Sequence, residues 1–255
     1  DVQHMDVSVL GSEDVIDAVK TQSLYAFTLR NNPVDLTLWK YLWNSSGTGA
    51  TSPDSSLSFT YSFNLNGTEY YQHMRGCRPT SGTLSVSRGM WDQNMTFICK
   101  DITIPTTSTS DPGTPVYQSA ETTSSPIVHS DGGGSPFTYN SIAYGERSFS
   151  TTINRNMAVM AVNGETDITY TKATDRAITF TADVFSGTNS SETALYTLYE
   201  SKDADAASYK FTSAGTVTLT YANAVITDYA YTHAAGSADA LIESITCRAE
   251  SCTNL

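Results

Sequence analysis

The sequence predicts a mainly β protein with two similar tandem halves, each carrying one short helix, and three observations lead to this prediction. Apolar and hydroxyl side chains alternate over many short segments, which is the period of a half-buried β-strand. Turn-forming residues separate these segments. The order of segments on one side of a Ser/Thr/Pro/Gly-rich stretch also recurs on the other side, as expected for an internal duplication.

The alternating segments predict strands in both halves. They are Leu57–Phe63, Glu69–Met74, Thr83–Ser87, Met95–Cys99, Ser148–Ile153, Ala177–Val184, Thr216–Tyr221 and Ile242–Cys247. Asn66-Gly67 predicts a hairpin turn after the first of these, and a second turn is predicted over Gly89–Gln93. Because Thr is β-branched and suits the solvated face of a sheet, we expect most Ser and Thr side chains to lie on strand surfaces.

Two short helices are predicted, one in each half. Val34–Trp43 follows Asn32-Pro33 and repeats Leu and Trp at helical spacing. Glu192–Tyr199 follows the capping segment Asn189–Ser191, and its Leu and Tyr residues share one face.

The duplication is indicated by matching segments on either side of residues 106–134, a stretch rich in Ser, Thr, Pro, Asp and Gly. Leu24–Leu29 is similar to Ala177–Ala182, a predicted helix follows each, and the halves end in Cys99–Asp101 and Cys247–Glu250. The stretch itself has the composition of a long loop. We therefore predict two halves, residues 1–103 and 141–255, joined by a linker over residues 104–140.

The composition excludes several classes of protein. The chain has 255 residues, a formal net charge of −12 and 16% charged residues, while Ser and Thr make up roughly 27%. Hydrophobic residues, at 39%, suffice for a core. The sequence shows no apolar run long enough for a membrane span and no signal-peptide pattern. An acidic chain without a Lys/Arg cluster is not expected to bind nucleic acid tightly. Because the sequence begins with Asp1 rather than Met, we expect an N-terminal piece to be missing or cleaved.

No catalytic, cofactor-binding or metal-binding residues are predicted, and we expect the protein not to be an enzyme. The histidines lack metal-ligand spacing; they are His4, His73, His129 and His233. Asp203-Ala204-Asp205 lacks the Gly and Glu of a calcium loop, so a solvated loop is expected. Gly132–Gly134 precedes no helix and therefore predicts a flexible turn rather than a phosphate-binding loop.

Three residue types have a structural interpretation. The cysteines, Cys77, Cys99, Cys247 and Cys252, form no Cys-x-x-Cys pair and predict buried reduced thiols, although sequence does not choose among the three possible disulfide connectivities. Trp39 and Trp43 predict core residues, whereas Trp91, in a predicted turn, is a candidate interface anchor. The glycosylation sequons occur at the frequency expected by chance; they lie at Asn44, Asn66, Asn94 and Asn189.

The order of segments resembles a known family. The segments that carry this resemblance are Ser58–Phe63, Tyr70–Ser87, Met95–Asp101, Gly145–Asn156 and Leu241–Glu250. Together they resemble the tail tube, or major tail, proteins of long-tailed (siphovirus-type) bacteriophages and related archaeal viruses. That family often shows a Gly-Cys segment leading into a Leu-Ser-Val-Ser strand. Cys99 stands where the pattern often has Gly, and Arg155 is a second departure.

The resemblance implies a β-sandwich or split-barrel unit with one helix on its flank. Such units associate edge to edge into rings, and the rings stack into the hollow tube of the virion tail, assembled in the host cytoplasm. Viral DNA passes through the lumen without specific binding. The resemblance implies self-association and contacts with other tail proteins, but no enzymatic activity, cofactor or membrane.

Two finer expectations follow from the resemblance. Tail tubes are typically six-fold, so a duplicated chain favours a ring of three chains with pseudo-six-fold symmetry, and a ring of six chains is the alternative. The linker is then expected to contact a stacked ring or a neighbouring subunit. The net charge of −12 predicts carboxylates and hydroxyls on the lumen wall, where they repel phosphate.

Three alternatives stay open at this point. A secreted or cell-surface adhesin-like β-sandwich fits the acidity and the even cysteine count, and it predicts disulfides and a monomer. Another virion component, such as a tail terminator or decoration protein, has a similar fold. A carbohydrate-active enzyme requires a pair of carboxylates facing a cleft, and the sequence offers no convincing pair.

Overall fold

The computed structural model describes twelve ranges of the chain. They are residues 2–7, 17–23, 25–33, 36–42, 56–87, 90–103, 105–107, 137–160, 170–185, 194–212, 216–232 and 242–254. Most of the predicted linker, residues 108–136, lies outside the described residues.

The described residues form fifteen strands. Those before the linker are β1 (Val2–Val7), β2 (Asp17–Ser23), β3 (Tyr25–Asn31), β4 (Leu57–Leu65), β5 (Thr68–Ser87), β6 (Met90–Cys99) and β7 (Asp101–Ile102). Those at its end and beyond are β8 (Phe137–Tyr139), β9 (Ile142–Tyr144), β10 (Glu146–Met160), β11 (Tyr170–Phe185), β12 (Asp205–Thr212), β13 (Thr216–Thr232), β14 (Ile242–Ala249) and β15 (Ser251–Asn254). A 3-10 helix spans Thr37–Tyr41, and an α-helix, α1, spans Ala194–Ser201.

The strands form an open antiparallel sheet, which confirms the predicted mainly β fold. Its main path is β3-β6-β5-β10-β11-β14-β13-β12-β8-β9. Strands β4 and β7 pair with β5, and β15 pairs with β13, while β1 and β2 form a separate pair. The path β3-β6-β5-β4 thus has the same order as β11-β14-β13-β12, and β7 occupies the place of β15.

Strands β5 and β13 bend at matching positions. Gly76 and Asn223 adopt φ values of 59° and 49°, a region that favours Gly and tolerates Asn. A bulge follows four residues after each bend, at Thr80 and at Thr227. The first part of each strand therefore turns over the layer in which its second part pairs, and each half becomes a β-sandwich.

Aromatic rings fill the sandwich in both halves. In the first half, Phe59 of β4 lies over Phe27 and Phe97, with ring centroids 5.1 and 5.0 Å apart. In the second half, the rings of Tyr221 and Phe180 are 4.5 Å apart. These rings belong to one apolar core that runs through both halves.

The helices differ in part from the sequence prediction. In place of an α-helix over Val34–Trp43, a 3-10 helix forms, in which Trp39 N donates to Leu36 O and Leu42 N to Trp39 O. This tight turn places Trp39 and Leu42 against the bare backbone of Gly82 in β5. The second helix is α-helical as predicted, and it ends at Ser201, two residues after the predicted end at Tyr199.

The predicted turn over Gly89–Gln93 is wrong, because Met90–Cys99 is strand β6. Trp91 and Gln93 pair with Val86 and Leu84 of β5, and all four side chains are buried. The polar run after Trp91 is typical of a turn, but its side chains alternate between the core and the solvated face of the sheet.

Candidate assembly surfaces

One face of the sheet is covered with hydroxyl side chains, and we call it the hydroxyl face. Residues directly opposite each other in antiparallel pairs share a face, so the register defines its rows. The two central rows are Arg30–Asn94–Thr83–Thr152–Thr179–Arg248 and Asp92–Ser85–Ser150–Thr181–Thr246–Asp228. The flanking rows are Thr28–Thr96–Ser81–Asn154–Ala177 and Ser148–Asp183–Ser244–Ala230. The predicted placement of Ser and Thr on a solvated strand surface is confirmed for this face.

Many polar groups of the hydroxyl face bond to one another. Hydroxyl pairs join Thr83 to Thr152 at 3.1 Å and Thr28 to Thr96 at 3.3 Å. The Asp183 carboxylate accepts hydrogen bonds from Ser148 Oγ at 2.7 Å and from Ser244 Oγ at 2.6 Å. Arg30 Nη2 lies 3.1 Å from Asp92 Oδ2 in an ion pair. Part of the hydrogen-bonding capacity of this face is therefore already used within the sheet.

The opposite face of the sheet is the core face, and both helices pack on it. Trp39 contacts the Gly82 position of β5, and its Nε1 donates to Gln93 Oε1 at 2.9 Å. On the second half, Tyr199 of α1 stacks on Tyr229 of β13, with ring centroids 5.9 Å apart. The side chains of the hydroxyl face are exposed or half-buried.

Strand β10 joins the two halves through backbone pairing on both of its sides. Ser148–Asn154 pairs with Ser81–Ser87 of β5 on one side and with Ala177–Asp183 of β11 on the other. The hydroxyl row of Thr83, Thr152 and Thr179 crosses this junction. We call the three-strand arrangement β5-β10-β11 the internal junction.

Of the sheet edges that are unpaired within the described residues, two correspond to strands of the internal junction. Strand β3 pairs with β6 on one side, and no described strand pairs with its other side. In β13, Val225–Thr232 pairs with β14, and no described strand lies along the opposite side of this segment. These edges match the internal junction, because β3 takes the place of β11 and β13 takes the place of β5.

Register supports this match residue by residue. Phe27 of β3 pairs with Phe97, and Phe180 of β11 pairs with Cys247, at the same point in the two strand orders. The bulge residue Thr80 donates to Thr96 O at 3.2 Å, and Thr227 donates to Thr246 O at 3.0 Å.

The tryptophans are core residues wherever their side chains are described. Trp39 and Trp91 are both fully buried. Trp91 packs edge-on against Phe149, with ring centroids 6.4 Å apart, so the candidate interface anchor at Trp91 is not available on the subunit surface. The side chain of Trp43 lies outside the described residues.

The four cysteines are buried and free of disulfides, as predicted. A hydrogen bond to Cys99, together with burial, raises the pKa of the Cys77 thiol far above its ordinary range. Burial raises the pKa of Cys252 to about 12. The protonated thiols of Cys77 and Cys252 are poor nucleophiles and poor metal ligands.

The structure describes only some of the remaining sequence candidates. His73 is buried, with its Nδ1 3.0 Å from Thr60 Oγ1, while His129 and His233 lie outside the described residues, as does Gly132–Gly134. Asp203 is exposed and Asp205 begins β12. The part of the chain that the structure describes holds no group of three or more His, Cys, Asp or Glu residues able to bind a metal ion.

Two further findings concern the surface. No helix within the described ranges has the length and apolar composition needed to cross a membrane. Of the sequons, Asn66 lies in the β4–β5 turn and Asn94 is exposed in β6, whereas Asn44 and Asn189 lie outside the described residues.

Comparison with known proteins gives a family match. The family model described as "Phage tail tube protein" matches residues 18–249. Among solved structures, the chain is similar to the one titled "Structure of Hcp1 from Flavobacterium johnsoniae", with 14% sequence identity and a TM-score of 0.30. That similarity covers 46% of this chain and 91% of the Hcp1 chain. The comparison with curated proteins gives no match.

Proposed function

Because the chain belongs to the phage tail tube protein family, we propose that it assembles as stacked rings into the tail tube of a long-tailed, siphovirus-type phage or a related archaeal virus. The family assignment makes the protein a structural component of the virion tail, in a family without enzymatic activity. In this proposal the tube forms in the host cytoplasm, binds other tail proteins at its ends and lets viral DNA pass without specific binding.

The observation that carries the ring is the match between the internal junction and the two unpaired edges. Inside the chain, β10 bridges β5 and β11. At its ends, the chain presents β3, which corresponds to β11, and the second part of β13, which corresponds to β5. A strand placed between β3 of one chain and β13 of the next repeats the internal junction between chains. Such a head-to-tail contact is heterologous and closes into a ring if the rotation permits.

The same correspondence supports two halves within the chain, residues 1–103 and 141–255, with residues 104–140 between them. Strand order, both bends and both bulges recur. The pair β1–β2 has its bulge at Thr21, and β10–β11 has the matching one at Thr174. Strand β8 lies within residues 104–140 and pairs with β12, so the end of this segment belongs to the sheet of the second half.

The strand count favours three chains. Seven strands run from β3 to β13 along the sheet. The strand that lies between β13 of one chain and β3 of the next brings the number per chain to eight. Three chains then give about 24 strands, which at ~4.8 Å spacing enclose a barrel roughly 37 Å across, and six chains give roughly 73 Å. The smaller barrel is close to the size needed to enclose one DNA duplex, whereas the larger barrel is much wider than one duplex requires.

Electron microscopy of the purified full chain tests this function. We expect hollow tubes or rings in negative stain and, in averaged cryo-EM maps, three chains per ring related by a three-fold axis. A true six-fold axis with one chain per unit contradicts the three-chain ring but keeps the tube. A stable monomer at high protein concentration contradicts the tube and favours the adhesin-like alternative.

A further inference from the structure

We propose that Arg155 and Arg176 form a binding site for an oxyanion, either a carboxylate or a phosphate group, at the end of the core where the β10–β11 hairpin leaves the sheet. In this site Arg176 is the main hydrogen-bond donor, and Arg155 adds a second positive charge beside it. The site lies apart from the strand edges that form the proposed ring, and it does not depend on them.

The two arginines lie directly opposite each other in neighbouring strands. Arg155 of β10 pairs with Arg176 of β11, and residues at opposite positions of an antiparallel pair share one face of the sheet. Side chains two residues apart in a strand also share a face, and Ile153 and Ile178 are buried in the core. The arginines therefore lie on the core face. Beyond Asn154, the described residues of β10 pair only with β11.

The charges at this position point to an anionic ligand. Arg155 is buried and donates to Tyr41 O at 2.8 Å. Arg176 has a buried Nη1 with no hydrogen-bond partner, and neither ion pair found among the described residues includes it. Burial lowers the pKa of the Arg176 guanidinium, because its charge has lost water. Two opposed cations repel each other, and a bound oxyanion would offset both this repulsion and the lost hydration.

The first half shows that the fold does not require these arginines. The pair β1–β2 matches the outer part of β10–β11, and the bulges of the two pairs coincide in this match. Val2 and Ser23, which pair with each other, then take the places of Arg155 and Arg176. Because the same strand pairing forms with two uncharged residues, the arginines are not explained by the backbone arrangement alone.

An oxyanion fits the chemistry of this position. A guanidinium donates in a planar fork that matches two oxygens of a carboxylate or a phosphate. Arg176 is half-buried, so a ligand can reach it from solvent. The chain carries 26 acidic residues against 14 basic ones, so a carboxylate of a neighbouring copy is one source of the ligand. Free phosphate is the other source, and only the first of the two rests on the proposed tube.

Inorganic phosphate is the probe for the site. Its binding to unassembled native chains is measured by titration calorimetry at neutral pH and constant ionic strength in chloride. Arg176→Met removes the donor, and Arg248→Met removes the same charge from an exposed position on the hydroxyl face. We expect the native and Arg248→Met chains to bind phosphate equally, and Arg176→Met to bind it roughly tenfold more weakly or less. Absence of binding to the native chain, or equal binding by Arg176→Met, overturns the site.

Stability gives a readout that a purely structural arginine would not produce. In chloride, we expect Arg176→Met to unfold at the same urea concentration as the native chain or a higher one, because an unpaired and dehydrated charge is removed. Added phosphate should raise the urea midpoint of the native chain and leave that of Arg176→Met unchanged. A lower midpoint for Arg176→Met in chloride, with an equal response to phosphate, overturns the proposal.

Assembled tubes distinguish the two sources of the oxyanion. If a carboxylate of a neighbouring copy occupies the site, tubes do not bind phosphate, and Arg176→Met requires a higher protein concentration to assemble than Arg248→Met. If phosphate is the ligand, tubes and unassembled chains bind it equally. Failure of the native chain to form tubes contradicts the proposed function instead, while phosphate binding to the unassembled chains still decides whether the site exists.

Discussion

The two helices lie on the same position of the sheet in the two halves, but they are held there in opposite ways. Six residues after each bend, β5 carries Gly82 and β13 carries Tyr229. At Gly82 a Cβ would lie 2.4 Å from Leu42 Cδ1 and 3.2 Å from the Trp39 ring, because the helix side chains press onto bare backbone. At Tyr229 the strand supplies the ring, which contacts Tyr196 and Tyr199.

The difference shows that the two halves share strand order and bends but differ in which partner, helix or strand, supplies the bulky side chain. In the first half the helix supplies the bulk and the strand supplies the space, and in the second half the strand supplies the bulk. Close packing requires only that the combined side-chain volume of helix and strand fill the space between them. Identity between the halves is therefore low where packing is tight, although strand order and register recur.

Among the substitutions that test this difference, a larger residue at Gly82 is expected to destabilise the protein most. We expect Gly82→Val to lower the free energy of unfolding by about 3 kcal/mol, because Trp39 and Leu42 have to leave the strand. Urea unfolding followed by tryptophan fluorescence measures the loss. Tyr229→Val removes volume instead of adding it and serves as the counterpart in the second half. A loss below about 1 kcal/mol for Gly82→Val would show that the 3-10 helix moves aside freely.

The helix ends give the next comparison. Arg155 of β10 is buried, and its Nη1 donates to Tyr41 O at 2.8 Å, so the second half caps the helix of the first. In α1, Ser201 Oγ bonds locally to Leu198 O at 3.2 Å. We expect Arg155→Met to cost about 2–3 kcal/mol, since a charge-assisted bond is lost, and Ser201→Ala to cost about 0.5 kcal/mol because Ser201 is exposed. Equal urea midpoints for the two variants contradict this assignment.

The two bends are expected to differ in how strongly a substitution by Ala destabilises the protein. A Cβ at Gly76 would lie 2.9 Å from Lys100 Cβ at positive φ, so Gly76→Ala is expected to cost about 2 kcal/mol. Asn223 already has a Cβ at that conformation, and its Nδ2 donates to Glu250 Oε2. Asn223→Ala should therefore cost less, about 1 kcal/mol. Thermal unfolding of both variants measures the order, and a larger loss for Asn223→Ala would contradict it.

Sequence alternation predicts parts of most long strands and places their Ser and Thr side chains on solvated strand surfaces. Thr83, Thr152 and Thr179 lie in three such segments, and in the structure they form one row of the hydroxyl face. The similarity of Leu24–Leu29 to Ala177–Ala182 pointed to the strands that occupy equivalent places, β3 and β11. These features depend on the alternation of apolar and polar residues along short segments, which can be read from a single sequence.

The bend at Gly76 and the packing at Gly82 are not predictable from the sequence, because they depend on contacts between residues far apart in the chain. Nothing near Gly76 shows that Lys100 fills the space beside it, and nothing near Gly82 shows that Trp39 lies there. Trp91 falls within the predicted turn over Gly89–Gln93, and its neighbours Asp92 and Asn94 are polar. Both side chains lie on the hydroxyl face, so their polarity reflects the solvated side of a strand.

Alkaline pH tests one position at which the cores of the two halves differ. Cys77 takes the place that Ala224 has in the second half, directly after each bend. Because the folded-state pKa of Cys77 is raised by its bond to Cys99 and by burial, the folded thiol stays protonated where the unfolded one ionises. Stability is therefore complete below the ordinary thiol pKa of about 8.5 and falls above it by up to about 1.4 kcal/mol per pH unit.

We expect Cys77→Ala to flatten this fall between pH 8.5 and 10 and to cost about 1 kcal/mol at pH 7, because the variant loses the packing of a buried sulfur. Urea midpoints measured across this range give the slope. An unchanged slope in the variant would show that other groups, such as Tyr144 with its pKa raised by burial to about 12, dominate the alkaline response.

The bulges provide the smallest and most closely matched comparison. Thr80 and Thr227 donate to Thr96 O and Thr246 O at 3.2 and 3.0 Å. Thr→Val keeps the β-branched shape and removes the hydroxyl, so the substitution is expected to cost about 1 kcal/mol at half-buried Thr80 and about 0.5 kcal/mol at exposed Thr227. If the halves use one backbone plan, the two losses should agree within about 0.5 kcal/mol and add in the double variant, since the sites are independent. A loss at only one bulge would mean that the shared geometry is maintained by different interactions in the two halves.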